Sequence, residues 1–173
     1  MVAVRPEQPG DFGAIAAVVA DAFAPKHGPE VAALVDRIRS SEHYVPELAL
    51  LAEDDSGVTG HVMLSWVGLE SEARDRILCL SPMSVRTDRQ RGGIGSRLVE
   101  AVLGLAEARG EPAVMLEGVP AYYPRFGFER ARALGFEPPR EGIPDEAFMV
   151  RRLSGYEPAL AGRIVYPPAF DGI

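Results

Sequence analysis

Apolar and polar positions along this chain repeat with two periods, near two residues and near 3.6, and the switches between them divide it into elements. Val2 to Arg5 reads as a short strand that Pro6 and Pro9 break. Phe12, Ile15, Val19 and Ala22 then recur at helical spacing, Pro25 and the Gly28-Pro29 pair interrupt, and Val31, Leu34, Val35 and Ile38 repeat an amphipathic helical face. Leu48 to Ala52 is a compact apolar run, Glu53 to Gly57 a polar turn, and Val58 to Val67 an alternating stretch, which together predict a β-hairpin. After the polar loop Glu70 to Asp75, the run from Arg76 to Val85 predicts another strand. It feeds the glycine-rich loop Gln90-Arg91-Gly92-Gly93-Ile94-Gly95, which opens into a helix.

That helix carries Leu98, Val102, Leu105 and Ala106 on one face, and Gly110 and Pro112 end it. Ala113 to Glu117 reads as a buried strand parallel to the one before the loop, because a helix of this length serves as a crossover. Phe128 to Leu134 and Ala147 to Leu153 are predicted as final strands, separated by a Pro- and Gly-rich loop from Pro138 to Pro144. The segment Ser154 to Ile173 holds Tyr156, Ile164, Val165, Tyr166 and Phe170 among several prolines, so it is expected to pack on the domain or to cross to a partner subunit.

The strand, loop and helix around Gln90 to Gly95 make an anion site. Glycines let successive N–H groups turn inward, and the helix adds its unpaired first-turn donors and the positive end of its dipole. Phosphate is the natural guest. The usual nucleotide motifs fit poorly, since no Lys-Ser or Lys-Thr pair follows and Gly93-x-Gly95-x-x-Leu98 lacks the third glycine of a dinucleotide fingerprint. Gln90-x-x-Gly93-x-Gly95 instead resembles the pyrophosphate loop of the GNAT superfamily of N-acetyltransferases, and Tyr123-Pro-Arg-Phe-Gly127-Phe128 resembles that family's Tyr-x-x-x-Gly-Phe element. The phrases Ala121 to Phe128 and Asp145 to Val150 are similar to a YhbS-like branch of predicted acetyltransferases, a likeness over nearly the whole chain.

The resemblance implies an α/β fold of GNAT type in one domain. A mixed central sheet of about six to seven strands is flanked by helices, with a parallel strand pair splayed around the cofactor. It also implies acetyl-CoA as cosubstrate, its pyrophosphate cradled by amides from Arg91 through Gly92, Gly93, Ile94 and Gly95 to Ser96, with Gln90 in the motif's first position. Met83 and Val85 stand where relatives present backbone groups to the thioester carbonyl and the pantetheine amides, which makes the Met83 N–H the oxyanion donor. Tyr123 aligns with the tyrosine that protonates the departing thiolate, a task its phenol suits because it stays protonated at neutral pH. Gly118-Val119-Pro120 departs from the pattern, standing where many relatives carry a cofactor-contacting asparagine.

The reaction this implies is direct acetyl transfer to a primary amine of a small molecule or peptide. A non-catalytic acyl-CoA sensor is the alternative. With an ammonium pKa near 10, only about one amine in a thousand is neutral at pH 7, so a base is needed. Glu117 at its strand end is the first candidate, with Glu70, Glu72 and Asp75 in the polar loop behind it. Cys79 is the only cysteine, and no histidine partner is signalled for it, so direct attack is favoured over a ping-pong route.

Composition narrows the partners. A formal charge of −7 and a pI near 5.0 disfavour nucleic acid and anionic membrane and suit amine-bearing partners. One cysteine excludes an internal disulfide, and the absence of a leader-like or membrane-length apolar run predicts a cytoplasmic protein. His27, His43 and His61 lack metal-ligand spacing, so no metal is expected, and His61, on a strand, is read as structural. The oligomeric state stays open, with a homodimer favoured.

Overall fold

The computed structural model describes residues 1–172. Its strands are β1 (Ala3–Pro6), β2 (Tyr44–Asp54), β3 (Gly57–Glu70), β4 (Arg76–Val85), β5 (Ala113–Glu117), β6 (Glu129–Arg130), β7 (Phe136–Glu137), β8 (Phe148–Arg152) and β9 (Gly162–Val165). Helices α1 (Phe12–Ala22) and α2 (Gly28–Arg39) follow β1, and α3 (Ile94–Ala108) links β4 to β5. The strands form one mixed sheet whose main path runs β1-β2-β3-β4-β5-β8-β6, with β9 pairing β3 and β7 off that path. The pair β4–β5 is parallel, as the intervening helix requires, and β5 pairs β8 antiparallel along its whole length.

Alternation along the strands gives the sheet two apolar faces. Ile15, Leu34, Ile38, Met63, Met115 and Phe148 pack together under α1 and α2. Leu50, Val62, Leu78, Leu98, Val102 and Leu116 pack on the opposite face under α3. Both layers are closed, which is why the strands read as nearly continuous apolar runs.

Two features of β4 shape the site. Val62 pairs with Met83 but Leu64 pairs with Leu80, so three steps on β4 oppose two on β3. That extra residue is a bulge at Ser81–Pro82. Parallel pairing with β5 is confined to Leu78↔Val114 and Cys79↔Met115. Past the bulge the two strands separate, β4 running on to Val85 and β5 ending at Glu117.

Some expected boundaries shift. The hairpin is longer at both ends, from Tyr44 to Glu70. Of the expected strand Phe128 to Leu134, only Glu129–Arg130 is extended; Arg132–Leu134 is a 3-10 turn closed by Gly135 at φ 88°. The apolar side chains there are anchored individually in the core, Phe128 on the α3 face and Ala131 on the α1/α2 face. The C-terminal segment packs on its own chain. β9 pairs antiparallel with β3 over Gly68 to Glu70, Ile164 is fully buried, and Arg37 Nε donates to the Ala169 carbonyl at 2.8 Å.

Candidate active site

The end of β4, beyond its pairing with β5, and the N-terminus of α3 together border a cleft of about 600 Å³. Met83, Ser84 and Val85 line it from β4, Gly93 to Ser96 from the loop and first helical turn, Phe23 from just after α1, and Tyr122 and Arg125 from the segment that follows β5. Gly93 caps α3 with φ 87°, a left-handed conformation that glycine adopts without strain, and no side chain caps the helix. The first-turn amides therefore keep their donors for a ligand. Arg91 also sits at positive φ, 64°, and is exposed at the loop's apex.

The sequence-predicted residues take distinct places. Met83 and Val85 reach the cleft from the far side of the bulge, with Met83 part-buried. Gln90 also borders the cleft, but its side-chain amide donates to the Val85 carbonyl at 3.0 Å, tying the loop to the end of β4. Of the arginines near the loop, Arg86 is paired with Asp88 at 2.6 Å, and Arg89 with Asp54 and Asp88, both at 3.0 Å.

Tyr123 lies behind the cleft wall rather than on it. It is 9 % exposed, edge-on to Tyr122 and to Phe128 at centroid distances of 5.1 and 5.8 Å. Its hydroxyl has no hydrogen-bond partner among the described residues. Burial, with smaller contributions from Tyr122 and Cys79, pushes its phenol above the ordinary range, so it is protonated at all physiological pH. The ring's position depends on Gly118: a Cβ there would lie 2.5 Å from Tyr123 Cε2. Gly118 belongs to the stretch that departs from the family pattern, and a side chain there would displace this ring.

Glu117 ends β5 on the α1/α2 side of the split, two residues beyond Met115. Arg140 grips its two oxygens at 3.1 and 3.2 Å, and Tyr166, from just after β9, donates its hydroxyl at 2.5 Å. Neither partner is signalled in the sequence, since each arrives from a distant loop or tail. Cys79 is buried beside this group; burial and the Glu117 charge push its thiol far up, which makes it unreactive. Glu72 and Asp75 lie exposed in the β3–β4 turn, and Glu70 shares a surface cavity with Arg140 and Tyr166. His61 is away from this chemistry: fully buried, with Nε2 2.7 Å from Glu7 Oε2. Burial lowers its pKa, so the ring is neutral.

A parallel strand pair splayed beside a glycine-capped helix, with a Tyr-x-x-x-Gly-Phe turn across from it, defines an acyltransferase of GNAT type. The acetyltransferase (GNAT) domain family matches residues 45–130, and the chain belongs to the GNAT superfamily of N-acetyltransferases. Among solved structures it is similar to the GNAT family N-acetyltransferase YhbS from Escherichia coli, crystallised in complex with CoA. The TM-score is 0.86 with 29% identity, over 98% of this chain and 91% of that one. A GNAT family acetyltransferase from Brucella melitensis in complex with acetyl-CoA gives 0.79 and 27%, over 99% of both chains. YjhQ of Escherichia coli (strain K12), named an uncharacterized N-acetyltransferase, is 28% identical over 135 residues, 76% of this chain and 75% of its own length.

Proposed function

We propose that the protein transfers an acetyl group from acetyl-CoA directly to a primary amine of a small molecule or peptide. The observation that carries this is the cleft itself. Uncapped first-turn amides of α3 line it together with the freed edge of β4 from Val85 to Met83. The Glu117 carboxylate, at the end of β5, lies outside that lining. The amides from Arg91 to Ser96 hold the diphosphate, and Gln90 contributes by bracing the loop against Val85. The pantetheine arm follows β4 past Val85. Relatives crystallised with CoA and acetyl-CoA support this choice of cosubstrate.

In the reaction the amine nitrogen attacks the thioester carbonyl carbon, and negative charge collects on the oxygen. The Met83 N–H donates to that oxygen and stabilises the transition state more than the ground state. As the carbon–sulfur bond breaks, Tyr123 gives its proton to the thiolate: its ring stands behind the wall formed by Tyr122, but its hydroxyl is free of any partner among the described residues and is not fully enclosed. Before attack Glu117, held by Arg140 and Tyr166, takes the ammonium proton through water, and the second proton, shed by the nitrogen as the amide forms, restores the Tyr123 phenol. The buried, unreactive Cys79 supports direct attack over an acyl-cysteine route.

Thiol release from acetyl-CoA, followed against spermidine, glucosamine, lysine and a short peptide, tests the reading. Amine-dependent release is expected with at least one of them. Tyr123→Phe should lower kcat by roughly a hundredfold with the acetyl-CoA Kd unchanged. Equal turnover in the variant would remove Tyr123 from the mechanism, and acetyl-CoA binding without transfer to any amine would favour a sensor.

A further inference from the structure

The positive side chains around the cleft are not equivalent. Arg86 and Arg89 are neutralised by Asp88 and Asp54. Among the described residues, Arg125 meets no carboxylate. Its Nε donates to the Tyr122 carbonyl at 2.9 Å, and its guanidinium carbon lies 4.5 Å from the centre of the Tyr122 ring. Stack and hydrogen bond orient the group and leave the two terminal nitrogens without a protein partner, a fork suited to a phosphate. Tyr122 is itself held close to the loop: its hydroxyl lies 2.8 Å from where a Cβ on Gly95 would stand.

Arg125 borders two cavities. One is the cleft at the start of α3; the other, about 520 Å³, runs along the outer side of that helix past Glu100, Leu103 and Gly104 and is walled by Phe126. A rise of 1.5 Å per residue puts Glu100 about 9 Å down the axis from Ile94, within reach of a nucleoside leaving the loop. A diphosphate held by the loop amides has two arms. One follows β4 toward Met83, so the other must leave past Arg125 into the second cavity. That cavity is not basic throughout. Glu107 takes the Ser154 N–H, Glu100 is exposed, and Arg151 lies at the far wall with a buried, unpartnered Nε. An anion is therefore favoured at the Arg125 end alone.

Resting on the acetyl-CoA reading above, we infer that Arg125 recognises the 3′-phosphate on the ribose of CoA, with the nucleoside in the cavity beside Phe126. The diphosphate already has the loop amides and Arg91; Arg125 stands where the two cavities meet. The protein then distinguishes CoA from dephospho-CoA, which differ only in that phosphate.

Calorimetric titration of wild type, Arg125→Gln and Arg125→Lys with CoA and with dephospho-CoA tests this, with thermal denaturation confirming that each variant is folded. Wild type should prefer CoA by roughly ten- to a hundredfold, the range expected of a charge-assisted contact. Arg125→Gln should lose that preference through weaker CoA binding alone, dephospho-CoA binding being unchanged, and Arg125→Lys should keep part of it. Equal binding of the two ligands by wild type would overturn the assignment. So would a variant that weakens both equally, which would put Arg125 on the diphosphate or in a structural role. Binding of neither ligand by folded wild type would overturn the acetyl-CoA reading as well, so the two failures are distinct.

Discussion

Gly95 is set by what stands opposite it. Its backbone is ordinary, but a Cβ would meet the Tyr122 hydroxyl at 2.8 Å and the Met83 methyl at 3.4 Å. Gly95→Ala should therefore weaken acetyl-CoA binding by roughly five- to a hundredfold, the equivalent of overpacking by about 1–3 kcal/mol. Adding Tyr122→Phe removes the obstructing oxygen while keeping the ring under Arg125, and should restore much of the affinity. Titration of both variants decides the point, and a double variant no better than the single one would show that the contact is not the cause. The place of these glycines between strand and helix was legible in the motif, whereas the atoms opposing them were not. Glu117 shows the same limit. Its place at a strand end could be read, but its partners come from Arg140 and Tyr166, 23 and 49 residues further on. Such pairings depend on tertiary structure, for which no local pattern exists.

At the scale of elements, what could be read was what has a period or a glycine signal: the two helical faces, the hairpin, and the strand–loop–helix–strand unit from β4 to β5. Phe128 to Leu134 was misread because aromatic and apolar residues signal strands, and here glycines at both ends turn the chain instead. No pattern announced the buried polar group that ties β1, α2, β2 and β3 together. Glu7, following β1, receives Arg39 at 2.8 and 2.9 Å from α2, Tyr44 at 2.7 Å from β2 and His61 at 2.7 Å from β3. Burial alone would raise the Glu7 pKa, but the three donors outweigh it and hold it at about 2. A carboxyl whose pKa falls on folding adds stability above its unfolded pKa, and that contribution is lost as pH drops through the folded value. The network should thus contribute on the order of 3 kcal/mol at neutral pH, fading between about pH 4.5 and 2. Glu7→Gln should lower Tm at pH 7 by roughly 5–12 °C and flatten the acid limb of the stability profile. An unchanged acid limb would contradict the assignment.

The whole molecule carries a formal charge of −7, yet the proposed cosubstrate is a polyanion. The two fit because binding is local. Arg86 and Arg89 are matched by aspartates, and in the proposed binding the amides of α3, Arg91 and Arg125 are what the phosphates would meet. The remaining acidic surface suits an incoming ammonium. The C-terminal segment belongs to the same design, since β9 extends the sheet from β3 and delivers Tyr166 to Glu117. Its apolar residues foretold packing, but neither its pairing nor its contact with Glu117. The claim beneath all of this is that the glycine loop holds CoA phosphates, and one experiment addresses it directly: calorimetric titration of the purified protein with acetyl-CoA, with ATP as control. Saturable one-to-one binding of acetyl-CoA, with no heat from ATP, is the expected result. A folded sample that binds no acetyl-CoA, or binds ATP equally well, would contradict it.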